Sequence, residues 1–297
     1  MGGLASWPRL ISKTAFEFRF PFEAISVSEI LTVDAFAFDD ALRLEPQGPR
    51  RWGSRIDKRY WNSIGPFGGW TVALLLKAVL AEADHAGTPV ALTVNLMGGL
   101  NDDPISLVTR PVRQGRSMEF WTSELHQGDS VAAMAMVTLG QRRETLAEHE
   151  AVMPVVPMPE DLPPPKPHVR VSFGMMFENR AISGPQPFQP EGGSTLTQTW
   201  VRDAQARPLD YPLAAMLADV FAPRLMYKIT ERSPVSTISM SAYFHATPAE
   251  LAAVGTDYVM AEARARRFES GFFDQTGSLW SRDGKLLVTT EQLSWFK

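Results

Sequence analysis

Three polar side chains in otherwise oily or regular stretches carry the chemistry this chain could do. Asp219 is the only charged residue between Tyr211 and Pro223, in the run LAAMLADVF (213–221), where Leu213, Met216, Leu217, Val220 and Phe221 belong in a core. A carboxylate buried there without a partner is costly or has its pKa pushed up, which is how a general base is prepared. The same pattern fits an Asp219 that lies on the helix's one exposed stripe. Thr237 sits in STISMS (236–241), where strand alternation puts Thr237, Ser239 and Ser241 on one face. Threonine is also an ordinary strand residue. Gln292, in TTEQL (289–293), carries no signal by itself. Spacing alone does not bring the three together.

The elements that must position them occur twice. Each copy reads as an apolar helix, a long strand, and two further strands joined through a glycine turn. Laid over the second copy, Leu74 falls opposite Asp219, Thr93 opposite Thr237 and Met136 opposite Gln292, the last pair each eight residues past Gly128 and Gly284. Only the second copy has the polar trio.

In the first copy a helix is expected over residues 66–85, with Pro66 at its start and Gly87 just past its end. Val72, Leu74, Leu75, Leu76, Val79 and Leu80 leave it almost no polar face, so it must be surrounded. Strands are expected over 90–100, 105–112, 118–126 and 130–139. The second copy reads as strands at 170–177 and 196–201, a helix over 211–222 closed by Pro223, and strands at 236–246, 259–269, 273–281 and 286–295. Asp283-Gly284 is a hairpin turn signal. A helix followed by a mostly antiparallel sheet, twice, is an α+β architecture, each sheet wrapping a central helix.

The prolines of PVVPMPEDLPPPKPH (154–168) exclude helix interior and central strand, so this stretch is a linker between an N-terminal unit, 1–153, and a C-terminal unit, 169–297. About 14 extended residues at about 3.1 Å each reach roughly 43 Å, enough to cross a sheet face. GPQPFQPEGG (184–193) reads as an insertion loop. The 297 residues suit two units, each able to bury a core. A net charge of -4 argues against a nucleic-acid partner, and 44% hydrophobic with 21% charged residues is a globular composition. There is no cysteine, which removes disulfides, thiolate metal sites and Cys nucleophiles and suits a reducing cytoplasm. His85, His126, His149, His168 and His245 show no paired ligand spacing, so no metal or other cofactor is expected. The opening MGGLAS fits a myristoylation pattern only formally and is read as a flexible start. Lys77 interrupts the best apolar run, so no membrane span is expected, and the first thirty residues lack the charged, apolar and small-residue layout expected of a secretory signal.

LAAMLADVF (213–221), STISMSAYFHA (236–246) and LLVTTEQLSW (286–295) resemble the corresponding segments of the acyl-CoA thioesterase II family, whose fold is a double hotdog. GPFGGW (65–70) resembles the family's helix entry, and VRQGRS (112–117) and HQGDSVAAMAM (126–136) its hairpins. The resemblance covers about residues 30–297 and departs at MGGL (97–100), where the family more often has an aromatic residue and an arginine. It implies acyl-CoA as the substrate, hydrolysis as the reaction, pairing of copies through exposed sheet faces, and Asp219, Thr237 and Gln292 as the catalytic residues. A thioester needs no strong general acid, because its leaving thiol has a pKa near ~8.5. Asp219 would take a proton from a water that the Thr237 hydroxyl and the Gln292 amide aim.

Gly68 and Gly69 are candidate backbone donors to the oxyanion, or serve only to let the helix pack closely. Arg113 and Arg116 could contact CoA phosphates, or are exposed turn residues. No Gly-x-Ser-x-Gly elbow occurs, which disfavours an α/β-hydrolase. A hotdog hydratase would need a histidine near Asp219, and the second helix has none. An acyl-CoA binding or assembly module with a vestigial trio fits the same fold.

Overall fold

Ten of the thirteen residues from Gly68 to Leu80 are buried, from Gly69 through Leu76 and again at Ala78 and Val79. A helix with so little polar surface has to be enclosed, and in the computed structural model a sheet encloses it. The structure describes residues 36–164, 172–190 and 193–297. The opening MGGLAS, His168 and the first residues of the strand expected at 170–177 lie outside them.

In chain order the elements are α1 Ala37–Ala41, β1 Glu45–Gly48, β2 Arg51–Ser54, α2 Gly68–Leu80, β3 Thr88–Leu96, β4 Ile105–Gln114, β5 Met118–Gln127 and β6 Ser130–Gly140. They continue as β7 Phe177–Ser183, β8 Thr197–Asp203, α3 Tyr211–Leu217, β9 Val235–Phe244, α4 Pro248–Val254, β10 Val259–Arg264, β11 Phe268–Glu269, β12 Phe272–Trp280 and β13 Leu286–Phe296. The strands form one antiparallel sheet in the order β1-β2-β4-β5-β6-β3-β9-β13-β12-β10-β8-β7, with β11 beside β12. This is the α+β arrangement read from the sequence.

The two copies meet edge to edge at β3 and β9, from Ala91 opposite Tyr243 to Asn95 opposite Ser239. Thr93 Oγ1 and Ser241 Oγ share a hydrogen bond of 3.0 Å across this seam. Arg142 spans it as well, donating to Phe244 O at 2.7 Å and His245 O at 2.9 Å from one copy and to Pro89 O at 3.2 Å from the other.

Both central helices are shorter than expected. α2 stops at Leu80 rather than 85, because the residues beyond it bond to the sheet. Glu82 accepts from Trp52 Nε1 at 2.9 Å and from Thr109 Oγ1, and Asp84 pairs with Arg50. α3 is capped at its start by Asp210, whose Oδ1 accepts from Leu213 N at 2.9 Å, and it ends at Leu217 rather than 222. Past Leu217 the chain tightens into i→i−3 bonds, Asp219 N to Met216 O and Val220 N to Leu217 O, each at 3.1 Å, and Ala222, which precedes Pro223, is itself disfavoured in helical geometry.

The expected strand at 170–177 is instead a 3-10 turn, Ser172–Met176, with β7 beginning at Phe177. The strand expected at 259–269 breaks into β10 and β11. α4, unforeseen, carries a legible signal: Thr247 and Glu250 form a capping box. The proline-rich stretch contains a 3-10 turn at Pro159–Asp161. Met153, Val156 and Leu162 pack on Trp200, Tyr258, Met260 and Trp280, and Trp200 Nε1 donates to Pro157 O at 2.9 Å.

Candidate active site

Asp219 lies two residues past the end of α3, not inside it. Its amide still bonds back to Met216 O at 3.1 Å, so the last turn of the helix fixes where the carboxyl emerges. That place is the start of the other copy's helix. A Cβ on Gly68 would come within 2.7 Å of Asp219 Oδ2, and one on Gly69 within 2.6 Å of Met216 O. Two side-chain-free residues thus let the end of α3 touch the first turn of α2. The Gly69 amide supports the carboxylate, where the helix dipole favours negative charge.

Gln292 reaches the same carboxylate from β13. Its Nε2 donates to Asp219 Oδ1 at 2.8 Å, and its Oε1 accepts from Thr237 Oγ1 at 3.2 Å. The polarity of this chain is forced. An ionised Asp219 only accepts, so the amide nitrogen must face it and the amide oxygen must face Thr237, which then has to donate. Thr237 Oγ1 keeps its lone pairs for another donor, with Ser294 Oγ 3.5 Å away.

Thr237 faces inward only because of a β-bulge. Leu293 pairs with Ser239 but Ser294 pairs with Thr237, so Ile238 is the extra residue. Simple alternation had put Thr237, Ser239 and Ser241 on one face. The bulge turns Thr237 to the inner face with Met240 and leaves Ser241 outward, against Thr93.

Burial pushes the Asp219 pKa from the ordinary 3.8 up to about 7, against the opposing pull of the hydrogen bonds from Gln292 and Gly69. The residue keeps partial exposure, so water can reach the rim of the site. A carboxylate that titrates near neutrality, held by an amide and next to a hydroxyl, can take a proton from a water molecule.

Other expected placements differ. Met136 is 41% exposed and points outward, as does Thr93, so neither stands where its counterpart Gln292 or Thr237 does. Leu74 is buried in mid-helix, whereas Asp219 lies beyond one. Gly68 and Gly69 are at the site, but the Gly69 amide serves Asp219 rather than standing open for an oxyanion. Arg113 and Arg116 are not brought there. They are exposed at the β4–β5 hairpin, whose Gln114 bonds to Asp84 O at 3.0 Å, beyond the opposite end of α2 from Gly68. Ser294, buried beside Thr237, was not foreseen, because one serine in a strand carries no distinguishing signal. Among the described residues no group of three His, Asp or Glu side chains could hold a metal ion, and no helix is long and apolar enough to cross a membrane.

Two family models match the chain: an acyl-CoA thioesterase N-terminal domain over residues 58–140 and an acyl-CoA thioesterase C-terminal domain over residues 153–296. A hot dog fold protein of unknown function from Alicyclobacillus acidocaldarius is 38% identical with a TM-score of 0.84, covering 89% of this chain and 98% of that one. An acyl-CoA thioesterase II from Mycobacterium marinum shares the fold at a TM-score of 0.70 and 15% identity, over 88% of this chain and 98% of that one. An uncharacterized protein of Mycobacterium tuberculosis is 25% identical over 263 residues, 79% of this chain and 87% of its own length.

Proposed function

Because the chain belongs to the acyl-CoA thioesterase family, we propose that it hydrolyses acyl-CoA thioesters with a water held by Asp219, Thr237 and Gln292. The observation that carries the reading is the relay from Thr237 through Gln292 to Asp219, at 3.2 Å and 2.8 Å, ending on a carboxyl whose pKa is about 7. The water gives one hydrogen bond to the Asp219 carboxylate and one to the free lone pair of Thr237 Oγ1, which leaves its own lone pair for the thioester carbon. As the new C–O bond forms, Asp219 takes the proton. The C–S bond then breaks, and the CoA thiolate leaves with that proton or one from solvent. Holding the water in a near-attack geometry supplies much of the acceleration, since the leaving thiolate needs little acid assistance.

The test is release of free thiol from a panel of acyl-CoA thioesters by the wild type and by Asp219→Asn. Hydrolysis by the wild type, lost in the variant, supports the reading. Equal rates sink it. A non-catalytic acyl-CoA binder would be stabilised by the same compounds without releasing thiol.

The companion proposal is a homo-oligomer paired through the sheet's outer face. It is supported by Met134, Met136, Tyr243 and Leu293, all between 36% and 47% exposed. They lie on β6, β9 and β13, on both sides of the seam between the copies, with β3 between β6 and β9. Sedimentation of the wild type as a single chain would refute it.

A further inference from the structure

Arg113 and Arg116 sit beyond the far end of α2, at least the length of that 13-residue helix, roughly 20 Å, from Gly68. The anionic end of CoA therefore needs cations elsewhere. A cavity of about 410 Å³ lies where the segment that follows Asp219 meets the end of β13. Sites for small molecules are commonly roughly 300–1,000 Å³. Leu225, Lys228, Ile229 and Arg232 line one wall, and Phe296 and Lys297 the other.

Strand register ties this cavity to the trio. Ser294 stands opposite Thr237 on the β9–β13 ladder, and Phe296 stands opposite Val235. Alternation keeps Gln292, Ser294 and Phe296 on the inner face, and the Phe296 ring lies 6.0 Å from that of the buried Phe273. At about 3.3 Å per residue, Phe296 is roughly 7 Å past Ser294 and Lys297 roughly 10 Å. The other wall continues the chain that carries the acid, through the 3-10 turn Arg224–Tyr227. The two walls are fastened together. Ser233 Oγ donates to Lys297 O, and Lys297 N donates to Pro234 O at 3.2 Å.

The lining suits an anion that carries a flat ring. Lys228, Arg232 and Lys297 are exposed, and Glu231 is the single acidic side chain on the lining. Among the described residues no carboxylate pairs with these three cations, whereas Arg207, Arg266 and Arg282 are each held by two. Lys228 is placed by its ammonium bond to Gly193 O and by the Phe268 ring 6.0 Å away. A guanidinium matches the geometry of a phosphate, and an ammonium meets it as a point charge. Phe296 and Ile229, both partly exposed, give an apolar floor on which a base can lie.

We propose that this cavity takes the nucleotide end of CoA, with Arg232 and Lys228 on its phosphates and the adenine against Phe296 and Ile229. The inference rests on the acyl-CoA reading for its ligand, but its test does not depend on turnover. Equilibrium binding to Asp219→Asn is measured for an acyl-CoA and for the acylpantetheine with the same acyl group, which has no phosphate. The acyl-CoA should bind about tenfold or more tighter. Adding Lys228→Glu and Arg232→Glu should bring that ratio to about one, while acylpantetheine binds as before, which shows that the fold and the acyl site are intact. Adding Arg113→Glu and Arg116→Glu instead should leave the ratio unchanged. ADP should displace the acyl-CoA more strongly than inorganic phosphate at the same concentration. No preference for the acyl-CoA, a preference that survives charge reversal at the cavity, one that is lost at the β4–β5 hairpin, or equal displacement by phosphate overturns the nucleotide site. Thiol release by the wild type is scored separately. If no thioester is cleaved while the binding ratios behave as expected, hydrolysis fails and the nucleotide site stands.

Discussion

Replacing Asp219 with asparagine should make the protein more stable while abolishing its activity, and the size of the gain follows from the site. Asparagine keeps the shape and can still accept from Gln292, but it never ionises. In the wild type, burial raises the Asp219 pKa from 3.8 to about 7, so the folded protein holds that proton through a range in which the unfolded chain has released it. The folded state binds more protons than the unfolded state there, so stability falls as pH rises between about 4 and 7 and then levels off. At ~1.4 kcal/mol per pKa unit the full penalty is about 4 kcal/mol. Urea denaturation of both proteins from pH 4 to pH 8 measures it. The two should be nearly equal at pH 4, and the variant should pull ahead by about 2–4 kcal/mol at pH 8, allowing for a weaker bond to Gln292. The wild-type kcat/KM should rise with pH through about 7, as the base ionises, and the variant should lose about 100-fold or more. A stability difference that does not grow with pH, or an acid limb near the ordinary carboxylate range, would refute the argument that burial primes this carboxyl.

Gly68→Ala puts a methyl 2.7 Å from Asp219 Oδ2, so kcat should fall by about 100-fold with little change in the thermal midpoint, read by paired steady-state and melting measurements. Thr237→Val leaves the buried Gln292 carbonyl without its donor. Urea denaturation should show a loss of about 1–3 kcal/mol, together with a lower kcat. Trp200→Phe removes the indole bond to Pro157 O and should cost about 1 kcal/mol, with limited proteolysis showing faster cutting around residues 153–162.

The large features could be read from the residues because apolar periodicity reports them directly. A helix with oily residues on every side, at 68–80, demanded an enclosing sheet, and turn glycines such as Gly284 marked the hairpins. What escaped depends on contacts between distant parts of the chain. Helix ends were overrun because Glu82 and Asp84 are claimed by Trp52 and Arg50, and no local pattern announces that. The outward Met136 and the inward Gln292 are equally far from their turn glycines, but the glycines sit differently in their turns: pairing resumes at Ser130, two residues after Gly128, and at Lys285, one residue after Gly284. The bulge at Leu293/Ser294, in the ladder with β9, gives Thr237 its inward aim. The trio could be named from segment resemblance, but the mutual bonds of Asp219 and Gln292 join residues 73 apart in sequence and are visible only in three dimensions.

The contact between the start of α2 and the end of α3 sets a stoichiometry. The reciprocal corner, at the start of α3, is built differently: Asp210 caps that helix from within its own copy, and Arg207 ties it at 2.7 Å while also holding the first half's Asp39 at 2.8 Å. The first half's carboxyl there is neutralised by a guanidinium instead of being held by an amide beside a hydroxyl. On the proposed hydrolytic reading, the Asp219 site is assembled from both halves, so active-site titration should count one per polypeptide, and neither half expressed by itself should turn over substrate.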